Sequence, residues 1–227
     1  MRSGPGHPLG YPVGTTIGVV AVCAAMTPFA DVDQLAGLAV VVVVVLGYTV
    51  FRLATAFGRL PNGLETPGTV TIRRVRNQHR LVSRSWLEIT GNAASGSREN
   101  TESRWLPVYF DPALLALTET TAEVTARTLR VDAVRLYPSG RIRTGEPPGR
   151  LVDNASLPDP EAAEKGATVT TPTRRLLLDA QSAVAAPFAA LLWVYVMGGG
   201  LPAFVGATLV GAAVTVWLAA VRGSDPS

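Results

Sequence analysis

The sequence predicts a membrane α-helical protein in which two helical hairpins flank a small, mainly antiparallel β domain. The 227 residues are 48% hydrophobic and only 16% charged, whereas soluble domains carry about 25% charged residues. The apolar residues are concentrated in four long stretches, two near each end of the chain, and most charged residues lie between them. One cysteine and two histidines exclude a disulfide framework and a His-rich metal site.

Each apolar stretch is long enough to cross a bilayer, which requires about 20 residues in a helix. The stretches are 13–30, 35–56, 180–198 and 201–221. We therefore predict a first transmembrane hairpin at 13–56 and a second at 180–221. Six consecutive valines at 40–45 would also suit a buried strand, but the length of their stretch favours a helix because strands are about 3–10 residues long.

The first stretch has a second interpretation as a cleavable signal, because Arg2 precedes it and small residues follow it. Cleavage after Ala30 would place Pro28 at the third position before the cut, where a small residue is required. A retained helix is therefore the favoured interpretation. Residues 1–12 are then a leader that precedes it.

The block at 57–146 is predicted to be the β domain, because alternation of apolar and polar residues replaces the long apolar runs. Strands are predicted at 69–75, 81–90, 104–110 and 122–127, and a loop at 91–103. A further hairpin is predicted at 130–144, with its turn at 138–140. Five prolines in 147–179 predict an extended tether back to the membrane, and 222–227 is a short tail.

The distribution of basic residues predicts the orientation in the membrane. The link at 31–34 carries two acids and no base. The basic residues that flank the apolar stretches are Arg2, Arg52, Arg59, Arg174, Arg175 and Arg222. Because basic loops stay on the cytoplasmic side, we expect a multi-pass plasma membrane protein with both termini and the central domain in the cytoplasm.

Arginines are concentrated at the start of the central block. This arginine strip comprises Arg73, Arg74, Arg76, Arg80 and Arg84. No acid occurs between Glu65 and Glu88, so the strip would contact anionic lipid headgroups or an acidic partner protein. The alternative is that the arginines alternate outward on a solvated pair of strands, without a ligand.

Small residues recur every four positions in the last apolar stretch. This small-residue ridge comprises Ala203, Ala207, Gly211, Thr215 and Ala219. Gly14 and Gly18 form a shorter version in the first stretch. Such spacing allows close approach of another helix, which would belong either to this chain or to another membrane subunit.

The sequence carries no motif for catalysis, a metal or a cofactor. It contains no HExxH, P-loop, GxGxxG or GxSxG pattern, and His7 and His79 lack nearby nucleophiles. The block at 57–179 holds 17 bases and 14 acids, a balance too even for a surface that follows nucleic acid phosphates. We therefore predict no enzyme, no cofactor, no metal and no nucleic acid partner.

Three motifs carry a resemblance to a known group: residues 105–112 (WLPVYFDP), 137–141 (YPSGR) and 146–154 (EPPGRLVDN). Together with the order of helices and polar domain, and with Lys165 as the only lysine, they resemble conserved actinobacterial membrane proteins. Within that group the chain is similar to the Luc-type accessory subunit of the Mce lipid importers of mycobacteria. The resemblance implies a non-catalytic subunit that docks on a permease and ATPase, and it assigns no functional residue.

Two classes of function follow from these observations. The first is a non-catalytic accessory or scaffold subunit of a multi-protein envelope complex, with other integral membrane subunits and membrane lipids as partners. The second is a stand-alone membrane-anchored binding or regulatory module that uses the arginine strip to contact anionic lipid or an acidic partner.

Overall fold

A computed structural model describes residues 6–64, 67–92, 103–125, 127–153 and 161–227. It has the predicted fold class, a set of long apolar helices and a small antiparallel sheet. The helices are α1 (Gly10–Met26), α2 (Val32–Ala56), α3 (Ala162–Val169), α4 (Pro172–Asp179), α5 (Ala186–Met197) and α6 (Gly200–Val221). The strands are β1 (Gly68–His79), β2 (Val82–Asn92), β3 (Arg104–Val108), β4 (Glu119–Thr125), β5 (Thr128–Val131), β6 (Val134–Leu136) and β7 (Arg150–Asp153).

Four helical segments in the described part of the chain are long and apolar enough to cross a membrane. They are Gly10–Phe29, Val32–Ala56, Pro172–Met197 and Gly200–Val221. They form the two expected hairpins. The loops of both hairpins lie at the same end, because a Cβ atom at Gly199 would approach Gln34 Nε2 to 3.0 Å. The β domain therefore lies at the opposite end of the helices.

The predicted tether at 147–179 is corrected by the structure. Instead of an extended segment it contains β7, α3 and α4, and α4 continues through a 3-10 turn into α5. Pro172 stands at the first position of α4, where its fixed φ favours a helix and its missing N–H costs nothing. The third span therefore begins near Pro172 rather than at residue 180. The expected loop at 91–103 lies mostly outside the described residues.

Helix α1 packs against both α2 and α6. Val19 and Cys23 of α1 are buried with Val45 of α2 and Trp217 of α6. Polar groups also join the three helices, since Thr49 Oγ1 accepts a hydrogen bond from Trp217 Nε1 at 3.0 Å and lies 3.1 Å from Thr16 Oγ1. Large apolar side chains on the outer faces are exposed, as expected for surfaces that contact lipid; they include Val43, Val44, Phe188, Leu192 and Tyr195.

Within the described residues the sheet has seven strands, with the order β3-β2-β1-β4-β5-β6 and β7 paired to β1. Strand β1 is long enough for two partners on one side: its first half pairs with β4 and its last residues pair with β7. The chain that follows β6 returns to β3, where Arg143 N donates to Trp105 O at 2.8 Å and Ser139 N donates to Pro107 O at 2.8 Å. The sheet is therefore a curved half-barrel whose two ends are linked through 137–143.

The core of the half-barrel is built from alternate residues of its strands and from two residues of the segment 110–114 that follows β3. Its largest members are Ile72, Leu87, Ile89, Leu106, Phe110, Leu114, Leu129 and Leu136. A hairpin was predicted at 130–144 with its turn at 138–140. The observed hairpin is formed by β5 and β6, and its turn lies at 132–133. Asp132 adopts φ 50° there, a conformation that Asp accepts more readily than most residues, whereas 138–140 crosses to β3.

Candidate functional site

The last residues of the chain lie at the junction of the helices and the β domain. Helix α6 ends at Val221, whose carbonyl accepts a hydrogen bond from Tyr109 Oη at 2.7 Å. The chain then runs along β2, where Ser224 bridges to Arg84 and Asp225 N donates to Ser83 O at 2.9 Å. The tail at 222–227 therefore connects α6 to the sheet by backbone pairing, a role that no sequence pattern indicated.

Asp225 forms a buried ion pair with Arg74 of β1. Asp225 Oδ2 lies 3.0 Å from Arg74 Nη2, and the two side chains are 0% and 2% exposed. The same carboxylate accepts hydrogen bonds from Ser85 Oγ and from both the N–H and the hydroxyl of Ser227. Burial raises the pKa of Asp225, but Arg74 and these hydrogen bonds outweigh it and hold the pKa below its ordinary value.

The lowered pKa of Asp225 predicts a pH dependence of stability. The stabilisation is complete above the pKa of Asp in an unfolded chain, about 3.9, and is lost as the pH falls through the lower pKa of the folded state. We expect wild type to exceed Asp225→Asn in thermal stability at pH 5–7, and the difference to shrink below about pH 4. Thermal unfolding in detergent across this range measures it. A difference that is constant with pH would contradict the ion pair.

The arginine strip does not form one surface. Arg73 pairs with Glu88 across β2, with Nε 3.1 Å from Oε2, whereas Arg74 is buried against Asp225. The remaining members divide further: Arg76 Nη2 donates to Ser83 Oγ at 3.4 Å, Arg80 is exposed in the β1–β2 turn, and Arg84 approaches the helices. The five arginines therefore do not share one face of the sheet, and contact of the strip with lipid or an acidic partner stays a prediction. Alternation along a strand directs neighbouring residues to opposite faces, which separates Arg73 from Arg74.

Arg84 belongs instead to a basic cluster with Arg52 of α2 and Arg222, next to the membrane end of the sheet. Burial, followed by the charges of Arg222 and Arg52, lowers the pKa of Arg84 to about 10. Arg52 Nε donates to Val221 O at 3.3 Å, and Arg222 Nε donates to Tyr48 Oη at 3.4 Å. These three cations give the membrane end of the sheet a positive potential.

At its centre, the small-residue ridge contacts another helix of this chain. A Cβ atom at Gly211 would lie 3.3 Å from Ala186 Cβ, so α6 and the start of α5 are in direct contact there. Gly14 and Gly18 behave differently, since a Cβ atom at either position would meet no atom within 4 Å. They therefore contact no helix among the described residues of this chain, and packing against another membrane subunit stays a prediction. They face an open groove, because the packed face of α1 carries Thr16 and Val19 instead.

Replacing Gly211 with leucine is expected to destabilise the second hairpin by about 1–3 kcal/mol, because the added side chain pushes α6 away from Ala186. Thermal unfolding in detergent measures this loss. Gly47→Leu is the matched control, since Gly47 is exposed on α2 and has no neighbour within 4 Å. Equal stability of the two variants would show that Gly211 is not a contact between these helices.

The groove that Gly14 and Gly18 face has a volume of about 940 Å³. It is bounded by α1, α4, α6 and two residues of the β domain, Phe110 and Pro112. Its walls are mostly apolar, but Arg175 lines it near the β domain and is only 8% exposed. The sequence identified Arg175 only as an indicator of orientation.

A hydrogen-bonded group lies beside Arg175 and connects α1, α4 and the tail. Asp179 Oδ2 accepts hydrogen bonds from Tyr11 Oη at 2.8 Å and from Ser224 Oγ at 2.8 Å. The guanidinium of Arg175 stacks over the ring of Tyr11, 4.2 Å from its centroid. The described residues include no group of three His, Cys, Asp or Glu side chains that would hold a metal ion.

Comparison with protein-family models, with curated proteins and with solved structures finds no match to this chain.

Proposed function

We propose that the chain is a non-catalytic integral membrane subunit of a multi-protein envelope complex, in which the helices anchor a β domain for docking of other subunits. The observation that supports this proposal is the attachment of the β domain to α6 by the tail, through the ion pair between Arg74 and Asp225 and the bond from Tyr109 to Val221. A domain attached in this way keeps one orientation relative to the bilayer, and its outer surface is then held in place for other subunits to dock.

The resemblance to the Luc-type accessory subunit makes an Mce-type lipid importer the candidate complex. Its permease and ATPase would then be the partners. Purification of the tagged chain in a mild detergent, followed by mass spectrometry, tests this. We expect other integral membrane subunits in stoichiometric amounts with wild type, and a loss of them with Asp225→Ala, which releases the tail. Recovery of the chain alone, under detergent conditions in which its helices stay folded, would contradict the proposal.

We further propose that the β domain and both termini lie on the cytoplasmic side of the plasma membrane. The basic cluster at the β-domain end and the acidic residues in the loop at the other end support this orientation. Labelling of intact cells with an impermeant thiol reagent tests it in a Cys23→Ala background. We expect Asp33→Cys, in the first turn of α2 at the opposite end of the helices, to react and Arg80→Cys to be protected. The reverse pattern would overturn the orientation.

A second candidate function is recognition of anionic headgroups by the basic cluster. Burial lowers the pKa of Arg84 and the charges of Arg222 and Arg52 lower it further, which favours this function because a nearby anion would stabilise these cations. Native mass spectrometry with added phosphatidylglycerol tests it. We expect weaker binding with Arg84→Glu and unchanged binding with Arg130→Glu, an exposed position on β5. Equal binding by both variants would exclude the cluster as a headgroup site.

A further inference from the structure

We propose that the groove beside α1 binds one molecule of an anionic membrane lipid. In this complex the lipid phosphate pairs with Arg175, and an acyl chain lies along the glycine face of α1. The site is separate from the basic cluster, and the proposal does not depend on the role of the chain in a larger complex.

The first argument is the state of Arg175. Its side chain lies within a candidate membrane span and is buried, yet its Nε atom has no hydrogen-bond partner among the residues that the structure describes. Asp179 is one turn away, but no ion pair joins it to Arg175 in the described structure, and its carboxylate already accepts bonds from two hydroxyls. A buried cation without a bonded anion is costly. A phosphate would satisfy it, because the planar guanidinium matches phosphate oxygens.

The second argument is the shape of the remaining surface. Gly10, Gly14 and Gly18 form one face of α1, and a Cβ atom at any of them would meet nothing within 4 Å. The groove continues to Val22, so it extends for about 18 Å along the helix at 1.5 Å per residue. An apolar groove of this length, with one arginine among its described lining residues and that arginine at one end, matches an amphiphile with an anionic head and a long apolar chain.

The third argument concerns the alternatives to a lipid. A partner helix would lie along the groove, but the end near Arg175 is bounded by Phe110 and Pro112 of the β domain. The volume of about 940 Å³ is within the range of about 300–1,000 Å³ that is common for small-molecule sites. Because Gly14 and Gly18 are exposed, the groove opens toward the bilayer, where an acyl chain enters without leaving an apolar medium.

Native mass spectrometry of the full chain, released from detergent with added phosphatidylglycerol, tests the proposal. We expect one tightly bound lipid and weaker binding of phosphatidylcholine with the same acyl chains. Arg175→Gln is expected to weaken phosphatidylglycerol binding at least about tenfold, the scale of one hydrogen bond to a charged group. Arg174→Gln is the matched control, because Arg174 is adjacent in sequence but exposed, and it should leave binding unchanged.

A second pair of variants examines the acyl-chain part of the site and leaves Arg175 intact. Gly14→Leu should occupy part of the groove, since a Cβ atom at Gly14 meets no protein atom within 4 Å, and should lower lipid binding while the protein elutes as wild type in size-exclusion chromatography. Gly47→Leu, on the outer face of α2, is the control and should leave lipid binding unchanged. Arg84→Glu should lower only the additional lipid binding that we assign to the basic cluster, and retention of the one tightly bound lipid would confirm that its site is separate from that cluster.

Four results would overturn the proposal. Equal lipid binding by Arg175→Gln and Arg174→Gln would mean that Arg175 does not bind the headgroup. Unchanged binding by Gly14→Leu would mean that the acyl chain does not lie along the glycine face of α1. Displacement of the lipid by excess inorganic phosphate would indicate a site for a free anion. A changed oligomeric state of Gly14→Leu, with lipid binding unaltered, would indicate that the groove receives a helix.

Discussion

Replacing Asp225 with alanine is expected to destabilise the folded protein by about 3–5 kcal/mol, the range for removal of one partner from a buried ion pair. The carboxylate that Arg74 contacts at 3.0 Å would be lost, while the arginine would stay in the interior of the β domain. Ser85 and Ser227 would lose an acceptor as well. Thermal or denaturant unfolding in detergent measures the change.

Glu146→Ala is the control for the loss of an acid, because Glu146 is exposed near β7. The double variant Arg74→Leu/Asp225→Leu should lose less stability than the sum of the two single variants, since it removes both charges together. Strict additivity, or an Asp225→Ala variant as stable as Glu146→Ala, would mean that the two residues are not energetically coupled.

Replacing Gly223 with valine is expected to displace the tail from the sheet. Gly223 has φ +82°, which L side chains rarely adopt, so the backbone strain alone costs about 1–3 kcal/mol. A Cβ atom there would also lie 2.8 Å from Ser139 Oγ and 3.3 Å from Val108 O. Because the tail cannot turn onto β2 without this conformation, the substitution should break the contact of Asp225 with Arg74.

Limited proteolysis measures the displacement, since a released tail becomes accessible to carboxypeptidase. Gly145→Val is the control, because a Cβ atom at Gly145 meets no atom within 4 Å and Gly145 does not have a positive φ. A tail in Gly223→Val that resists digestion as in wild type would show that this turn does not determine where the tail lies.

Local patterns predicted most of the fold. Hydropathy and length identified the four spans, because the bilayer requires about 20 apolar residues whatever the tertiary packing. Alternation identified β1, β2 and β3, since one face of each strand enters the half-barrel core. The prediction of a tether was wrong for a local reason. Prolines indicated an extended chain, but Pro172 stands at the start of a helix, where proline is tolerated.

The candidate site was less predictable because it depends on pairs of residues that are far apart in sequence. Arg74 and Asp225 are separated by 151 positions, so no local window connects the buried cation with its acid. The glycines of α1 were recognisable as a smooth helix face, but whether that face meets a helix or an open groove depends on how α1 packs against α2 and α6. Arg175 likewise becomes distinctive only through its burial.

Hydrogen exchange at the amide of Asp225 reports on whether the tail attaches the β domain to the helices. This amide donates to Ser83 O at 2.9 Å, and the amide of Ser224 donates to Ala219 O at 3.1 Å. We predict that a peptide covering 222–227 exchanges as slowly as the paired strands of the sheet, and that Asp225→Ala accelerates its exchange. Exchange of this peptide in wild type at the rate of an unstructured chain would mean that the tail does not attach the β domain to the helices.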